Sequence, residues 1–257
     1  MDPSLYAGSA AYYTRGRVAY PAALADALAA ELDLDGSGRL LDVGCGPGSL
    51  TLLLAGHFEQ AIGIDADAGM LAEAARAAVP NCRWLHLRAE QLPAGLGEFR
   101  LVTFAQSFHW LDRPRVAAKV RGMLEPGGAC VHIHATTHQG IDEGAGPSYA
   151  AIADLVRAYL GPVRRAGQGT LPNGTLGGET EIYRAAGFTG PQRIRVPGRV
   201  VVREPDDIVA SVFSLSSSAP HLFGDRLASF EADLRKLLGG RVFSERTHDV
   251  SVDVWRL

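Results

Sequence analysis

Residues 40–50 read Leu40-Leu41-Asp42-Val43-Gly44-Cys45-Gly46-Pro47-Gly48-Ser49-Leu50. An apolar run suited to a buried strand enters three glycines, and a helix-forming stretch, Ser49–Ala55, follows. Glycine tolerates tight turns and, lacking Cβ, lets a ligand come close to the backbone. A second strand-like run, Ala61–Ile64, ends in Asp65, 17 residues after Gly48. A carboxylate at the tip of a second strand can accept hydrogen bonds from both hydroxyls of a ribose. Together the two features point to an adenosine-containing ligand lying across the tips of the first two strands.

Further strand-like runs lie at Arg39–Val43, Arg83–Leu87, Leu101–Ala105 and Ala129–Ala135, with helix-like runs at Gly69–Ala78 and Pro114–Met123. Upstream, Pro21–Leu32 reads as a helix. Proline suits a first turn, and Leu24, Leu28 and Leu32 recur every four residues as one apolar stripe. Near-continuously apolar strands alternating with helices predict an α/β fold whose parallel sheet is covered on both faces. Beyond Ala135 the pattern changes. Helices are expected at Tyr149–Leu160, Glu179–Ala186, Asp206–Phe213 and Gly224–Leu238, and strands at Ile194–Val202 and near Val250–Trp255. The 257 residues read as a single domain, with residues 1–35 as N-terminal lid helices and residues 136–178 and 204–245 as lid insertions. Ligands bind such sheets at the carboxyl ends of the strands, which is where lid material shapes a pocket.

Glycine spacing separates the ligand classes. A dinucleotide loop wants Gly-x-Gly-x-x-Gly, with the helix N-terminus aimed at pyrophosphate. Here the spacing is Gly44-x-Gly46-x-Gly48, with Asp42 two residues before the first glycine. In this the sequence resembles the class I S-adenosylmethionine-dependent methyltransferases, whose first motif is acid-x-Gly-x-Gly-x-Gly. It is most similar to their small-molecule type 11 group, which includes ubiquinone-biosynthesis and trans-aconitate methyltransferases. The resemblance covers Tyr12 to Ala135 well and the rest in general layout.

That resemblance implies a Rossmann-like, seven-stranded, mostly parallel sheet with helices on both faces and helical lid insertions. Six strands would be parallel and the last, near Val250–Trp255, antiparallel. It implies S-adenosylmethionine as cofactor, S-adenosylhomocysteine as product, and methyl transfer to oxygen, nitrogen or carbon of a small molecule. The alternative is a protein of the same fold that binds the cofactor but catalyses another reaction or serves as a binding module. By the same resemblance, Gly44, Cys45 and Gly46 face the methionine part of the cofactor and Asp65 its ribose, with Ala66 and Met70 beside the adenine. Arg88–Pro93 matches the third motif, where Ala89 or Glu90 meets the adenine amino edge, and Leu124–Gly128 matches the turn entering strand five. Gln106, opening the segment after the fourth strand, counts with the cofactor residues. Arg17 is set either against the cofactor's carboxylate or on a solvated face that orders the first helix.

Methyl transfer from a sulfonium is an in-line displacement with an activated leaving group, so alignment and removal of a proton from the acceptor are the protein's tasks. Gln106-Ser107-Phe108-His109-Trp110 borders the methyl group and the acceptor in the resembled family. His109 is the candidate general base, because imidazole titrates near neutrality. The competing reading has His109 and Trp110 packing the lip of the adenine site. Phe108 and Trp110 are placed to face the cationic sulfonium, Tyr13 to close the transfer site, and His134 to enter the pocket.

His132, His134 and His138 share a strand and its exit, but a buried strand argues for core histidines, and no metal is expected. The segment Gln106–Asp112 lacks the Asn/Asp-Pro-Pro-aromatic signature of adenine-N6 and glutamine methyltransferases, which counts against DNA and translation-factor substrates. Net charge is −3, from 25 basic and 28 acidic residues. Without a positive excess, a nucleic-acid partner is not expected. Cys45, Cys82 and Cys130 make neither a disulfide framework nor a zinc spacing. No apolar run approaches the roughly 18 residues that cross a bilayer. Met1-Asp2-Pro3-Ser4 lacks the start of a signal peptide, so a cytoplasmic location, with no membrane partner, is expected. Arginine outnumbers lysine, which occurs only as Lys119 and Lys236, and with the many alanines this points to a GC-rich bacterial source. The protein is expected to act as a monomer or homodimer.

Overall fold

A computed structural model describes residues 8–141, 144–166, 169–171 and 177–257, leaving aside the side chains of 164–171. The strands are β1 (Arg39–Val43), β2 (Gln60–Asp65), β3 (Cys82–His86), β4 (Phe99–Ala105), β5 (Leu124–His134), β6 (Arg164–Ala166), β7 (Gly169–Leu171), β8 (Thr189–Val196), β9 (Val200–Arg203), β10 (Phe243–Arg246) and β11 (Val250–Arg256). The α-helices are α1 (Ala10–Gly16), α2 (Ala22–Leu32), α3 (Ser49–Leu54), α4 (Ala68–Ala75), α5 (Arg113–Arg121), α6 (Tyr149–Leu160), α7 (Glu179–Ala185), α8 (Pro205–Phe213) and α9 (Leu227–Leu238).

Seven strands form one sheet in the order β3-β2-β1-β4-β5-β11-β8. The pairs among β1 to β5 are parallel, and β11 runs antiparallel to both β5 and β8. Six strands therefore point one way and β11 the other, as expected.

Side chains alternate between faces along each strand, and both faces are covered. Leu40, Ala61, Leu101, Val131 and Val252 meet Leu24 and Leu28 of α2 and Leu50 and Leu54 of α3. On the other face Leu41, Ile62, Val102, Cys130 and Trp255 meet Val116 and Val120 of α5 and Tyr183 of α7. Residues 1–35 were expected to be lid helices. The sheet overrides that for α2, because its leucine stripe is buried against strands.

A separate core joins α6, α8 and α9 through Ile152, Val156, Ile208, Phe213, Phe230 and Leu234, with Phe223 stacked on Phe230 at 4.1 Å. The β10 residue Phe243 closes this cap. Helix α1 docks on α8 with no room for a side chain at Gly16, whose Cβ would stand 2.4 Å from the Ala210 carbonyl. Tyr12 adds its ring to Phe213 at 5.1 Å.

The single strand expected over Ile194–Val202 is two. Pro197 carries no donor for a ladder. At the next residue, the Gly198 N–H bonds Asp249 Oδ1 at 2.8 Å, and a Cβ there would meet the Thr247 carbonyl oxygen at 2.0 Å. The chain thus leaves the large sheet after β8 and enters the two-stranded β9–β10 ribbon. The short β6–β7 hairpin was also unforeseen. No helix among the described residues is long and apolar enough to cross a membrane.

Candidate functional site

At the carboxyl ends of β1, β2 and β4 lies a cleft of about 440 Å³. Its floor is the turn after β1. Gly44, Gly46 and Gly48 have φ of 70°, 55° and 80°, the left-handed region that glycine enters without a steric penalty. Gly44 is also pressed against Ser107, whose Cβ would lie 2.5 Å from an added Cβ. The Gly44 and Cys45 N–H groups both donate to the Ile64 carbonyl, at 2.8 and 3.0 Å, locking the turn onto β2. A Cβ on Gly46 would meet nothing, so its backbone faces open space.

Asp65 ends β2 inside the cleft. Its Oδ2 accepts from the Gly46 N–H at 2.8 Å and its Oδ1 from the Asp67 N–H at 2.9 Å. Those bonds fix the carboxylate and leave lone pairs for a ligand's hydroxyls. Burial pushes its pKa up against the pull of these N–H donors. Beneath it, Asp42 accepts from Thr51 Oγ1 at 2.6 Å and Thr103 Oγ1 at 2.8 Å. Burial outweighs the hydroxyls and raises Asp42 to about 6. Burial also raises the Cys45 thiol well above its ordinary value, so it stays protonated and is no nucleophile.

Arg17 supplies the opposite charge. Its Nε donates to Ser214 Oγ at 2.8 Å and its Nη2 to the Ser214 carbonyl at 3.1 Å, and its guanidinium lies 4.6 Å from the Tyr13 ring centroid. It has no carboxylate partner among the described residues. Gln106, at the tip of β4, holds φ at 59°, an uncommon conformation for a residue with a side chain. Such outliers persist where the surroundings impose them, often beside a ligand.

The cleft brings together Tyr13, Arg17, Gly44, Cys45, Gly46, Asp65, Ala66, Met70, Ala89, Glu90, Gln106 and Trp110. Three other expected site residues stand elsewhere. The short turn Phe108–Trp110 points Phe108 into the core, where it is fully buried and stacked 5.0 Å from Tyr183. His109 lies outside the cleft lining, 5.2 Å from Trp110, and burial together with the Arg113 charge lowers its pKa to about 4. Strand alternation carries His134 to the same face as His132, their rings 4.2 Å apart, and its Nε2 stands 3.5 Å from Asp253. With its side chain 44% exposed there, His134 does not enter the cleft. Among the described residues, no three His, Cys, Asp or Glu side chains are grouped to hold a metal.

Sequence reasoning missed Tyr20, His86 and Thr137, all lining the cleft. His86 ends β3 and its Nε2 lies 3.0 Å from the Ala66 carbonyl. The rule that ligands sit at strand carboxyl ends would have found it. Thr137 carries no local signal.

Comparison with known proteins bears on residues 40–128, which match a methyltransferase domain family. An uncharacterized methyltransferase of Mycobacterium tuberculosis is 36% identical over 128 residues, 49% of this chain and 51% of that protein. The trans-aconitate 2-methyltransferase of Deinococcus radiodurans is 38% identical over 93 residues, 35% of each chain. The chain spans about half, or less, of the length of these curated relatives. Among solved structures, a DhpI–SAM–HEP complex aligns over 99% of this chain and 95% of its own, with a TM-score of 0.52 and 18% identity. At that identity the likeness speaks to the fold.

Proposed function

We infer, from the match of residues 40–128 to a methyltransferase domain family, that the protein binds S-adenosylmethionine and transfers its methyl group to a small molecule. The observation that carries this is Asp65, a carboxylate fixed by two backbone N–H groups at the tip of β2, facing the open Gly46 turn. In this reading Asp65 accepts the ribose hydroxyls. Gly44, Cys45 and Gly46 border the methionine part, Ala66 and Met70 the adenine ring, and Ala89 and Glu90 its amino edge. Arg17 meets the amino-acid carboxylate, a pairing its planar guanidinium suits. Gln106, Tyr13 and Trp110 surround the sulfonium.

The acceptor atom attacks the methyl carbon, the carbon–sulfur bond breaks, and its electron pair stays on sulfur as S-adenosylhomocysteine forms. A base with a pKa near 4, outside the cleft, is poorly matched to deprotonating an acceptor at neutral pH. His109 is therefore assigned no proton transfer; a carboxylate or phenolate acceptor would need none. The net charge of −3 supports a small-molecule acceptor over a nucleic acid. The arginine bias and the bacterial relatives support a bacterial source.

Calorimetric titration of wild type and Asp65→Ala with S-adenosylmethionine, S-adenosylhomocysteine and NAD tests the reading. Wild type is expected to bind both sulfur ligands and not NAD, and Asp65→Ala to lose about tenfold or more in affinity. Preference for NAD, or no binding of either sulfur ligand, overturns it.

A further inference from the structure

Away from the cleft, two charged residues are almost completely withdrawn from water. Arg203, at the end of β9, and Glu245, in β10, are each 3% exposed, rare for charged side chains. Arg203 Nη1 donates to Glu245 Oε1 at 3.1 Å and to the His138 carbonyl at 3.2 Å. Its Nη2 donates to the carbonyls of Gly16 at 2.9 Å and Asp207 at 2.8 Å. Glu245 Oε2 accepts from the Gly140 N–H at 3.1 Å and the Tyr149 hydroxyl at 2.6 Å. A guanidinium, with five donors in one plane, reaches these several acceptors at once, which an ammonium point charge does not.

The grip falls in a particular place. Gly16 immediately precedes Arg17, and His138 immediately follows Thr137. Arg17 and Thr137 both line the cleft. Arg203 therefore holds the main chain one residue from each. At the cleft itself the two segments are tied together: the Val18 N–H donates to the Thr137 carbonyl at 2.8 Å, and Arg17 Nη1 reaches Thr137 Oγ1 at 3.4 Å. Glycine at position 140 admits the carboxylate, since a Cβ there would stand 2.9 Å from Glu245 Cδ.

Stability alone does not account for such a pair. The desolvation of two charges offsets much of their attraction, and packed apolar side chains of like volume serve as well or better. What an apolar pair lacks is the directed hold on three backbone carbonyls and one N–H. We propose that Arg203 and Glu245 are positioning residues: they set the cleft wall formed by Tyr13–Tyr20 and Thr137 in the geometry that receives the amino-acid end of the cofactor. This rests on the cofactor reading above. Neither residue touches the ligand; both act through Arg17 and Thr137.

The test compares two ligands that differ at that end. S-adenosylhomocysteine has the adenosine and the amino acid, whereas 5′-methylthioadenosine has the adenosine and thioether without the amino acid. Calorimetry is run on wild type, Arg203→Lys and Glu245→Gln, with circular dichroism confirming the fold of each. The variants are expected to bind S-adenosylhomocysteine about tenfold more weakly while their affinity for 5′-methylthioadenosine stays within about twofold of wild type. A purely structural role moves both ligands together. Equal losses for the two, or unchanged S-adenosylhomocysteine affinity in folded variants, overturns the proposal. Should Arg203→Lys fail to fold, Glu245→Gln keeps the side-chain shape and one acceptor oxygen and carries the same comparison. Wild type binding neither ligand removes the cofactor reading and this proposal together, an outcome separate from folded variants that keep wild-type discrimination.

Discussion

Asp42 shows how a single side chain links the cleft to the stability of the whole sheet. Its carboxyl titrates at about 6 against an ordinary value of 3.8, because burial outweighs the Thr51 and Thr103 hydroxyls. Below about pH 4 the acid is protonated in folded and unfolded chains alike, and its contribution to stability is fully present. Between about 4 and 6 the unfolded chain releases a proton that the folded one keeps, so this contribution falls as pH rises and is lost above about 6. Salt-bridged carboxylates such as Asp35, held low by Ser37 and Arg100, act in the opposite sense. The Asp42 part is isolated by difference: Asp42→Asn is expected to flatten the fall in melting temperature between about pH 4 and 6 relative to wild type. Identical pH profiles for the two proteins would remove this assignment.

The residues legible in sequence share a feature. Gly44, Gly46 and Asp65 act through local backbone demands, a positive φ or a strand tip, that the chain declares within a few positions. Phe108 and His134 depend on which way a short turn or a strand faces, and only the packing of Tyr183 and β11 decides that.

Among the elements, α2 separates two readings. Leu24 and Leu28 are fully buried on the sheet. Leu28→Ala is expected to cost about 2–5 kcal/mol in denaturant unfolding. Affinity for S-adenosylhomocysteine should stay at the wild-type value by calorimetry, since no α2 residue lines the cleft. A marked loss of affinity would restore α2 as lid material. The inner strands were readable because strands buried on both faces are written as unbroken apolar runs. The β9–β10 ribbon was not: Val200 and Val202 are exposed and Arg203 is buried, the reverse of what their chemistry announces. Gly63 had no signal either, since its role is to accept the Trp84 ring, which would lie 2.6 Å from an added Cβ.

At the scale of the molecule, the apolar clusters on the two faces of the sheet and the separate core of α6, α8 and α9 are distinct, and the segments around Arg17 and Thr137 line the cleft. Ligand binding should therefore register on those segments. Hydrogen exchange is expected to slow at amides 16–20 and 137–141 when S-adenosylhomocysteine is added, and to stay unchanged in α9, whose residues do not line the cleft. Protection spread evenly over the cap would mean that the cap closes as a body.

The antiparallel β11 has a consequence for how the protein is made. It enters the sheet between β5 and β8, and β8 has no other neighbour there. Yet it follows both in the chain. As the polypeptide emerges from the ribosome, β1 to β5 can assemble early, leaving β5 with an unpaired edge while β8 waits without a seat. Open edges of that kind invite pairing with other chains. Seven residues, Val250–Arg256, then have to slot between two strands already synthesised before either edge is sealed. Loss or delay of that one segment should therefore show itself as aggregation of newly made protein before it shows as any defect in catalysis.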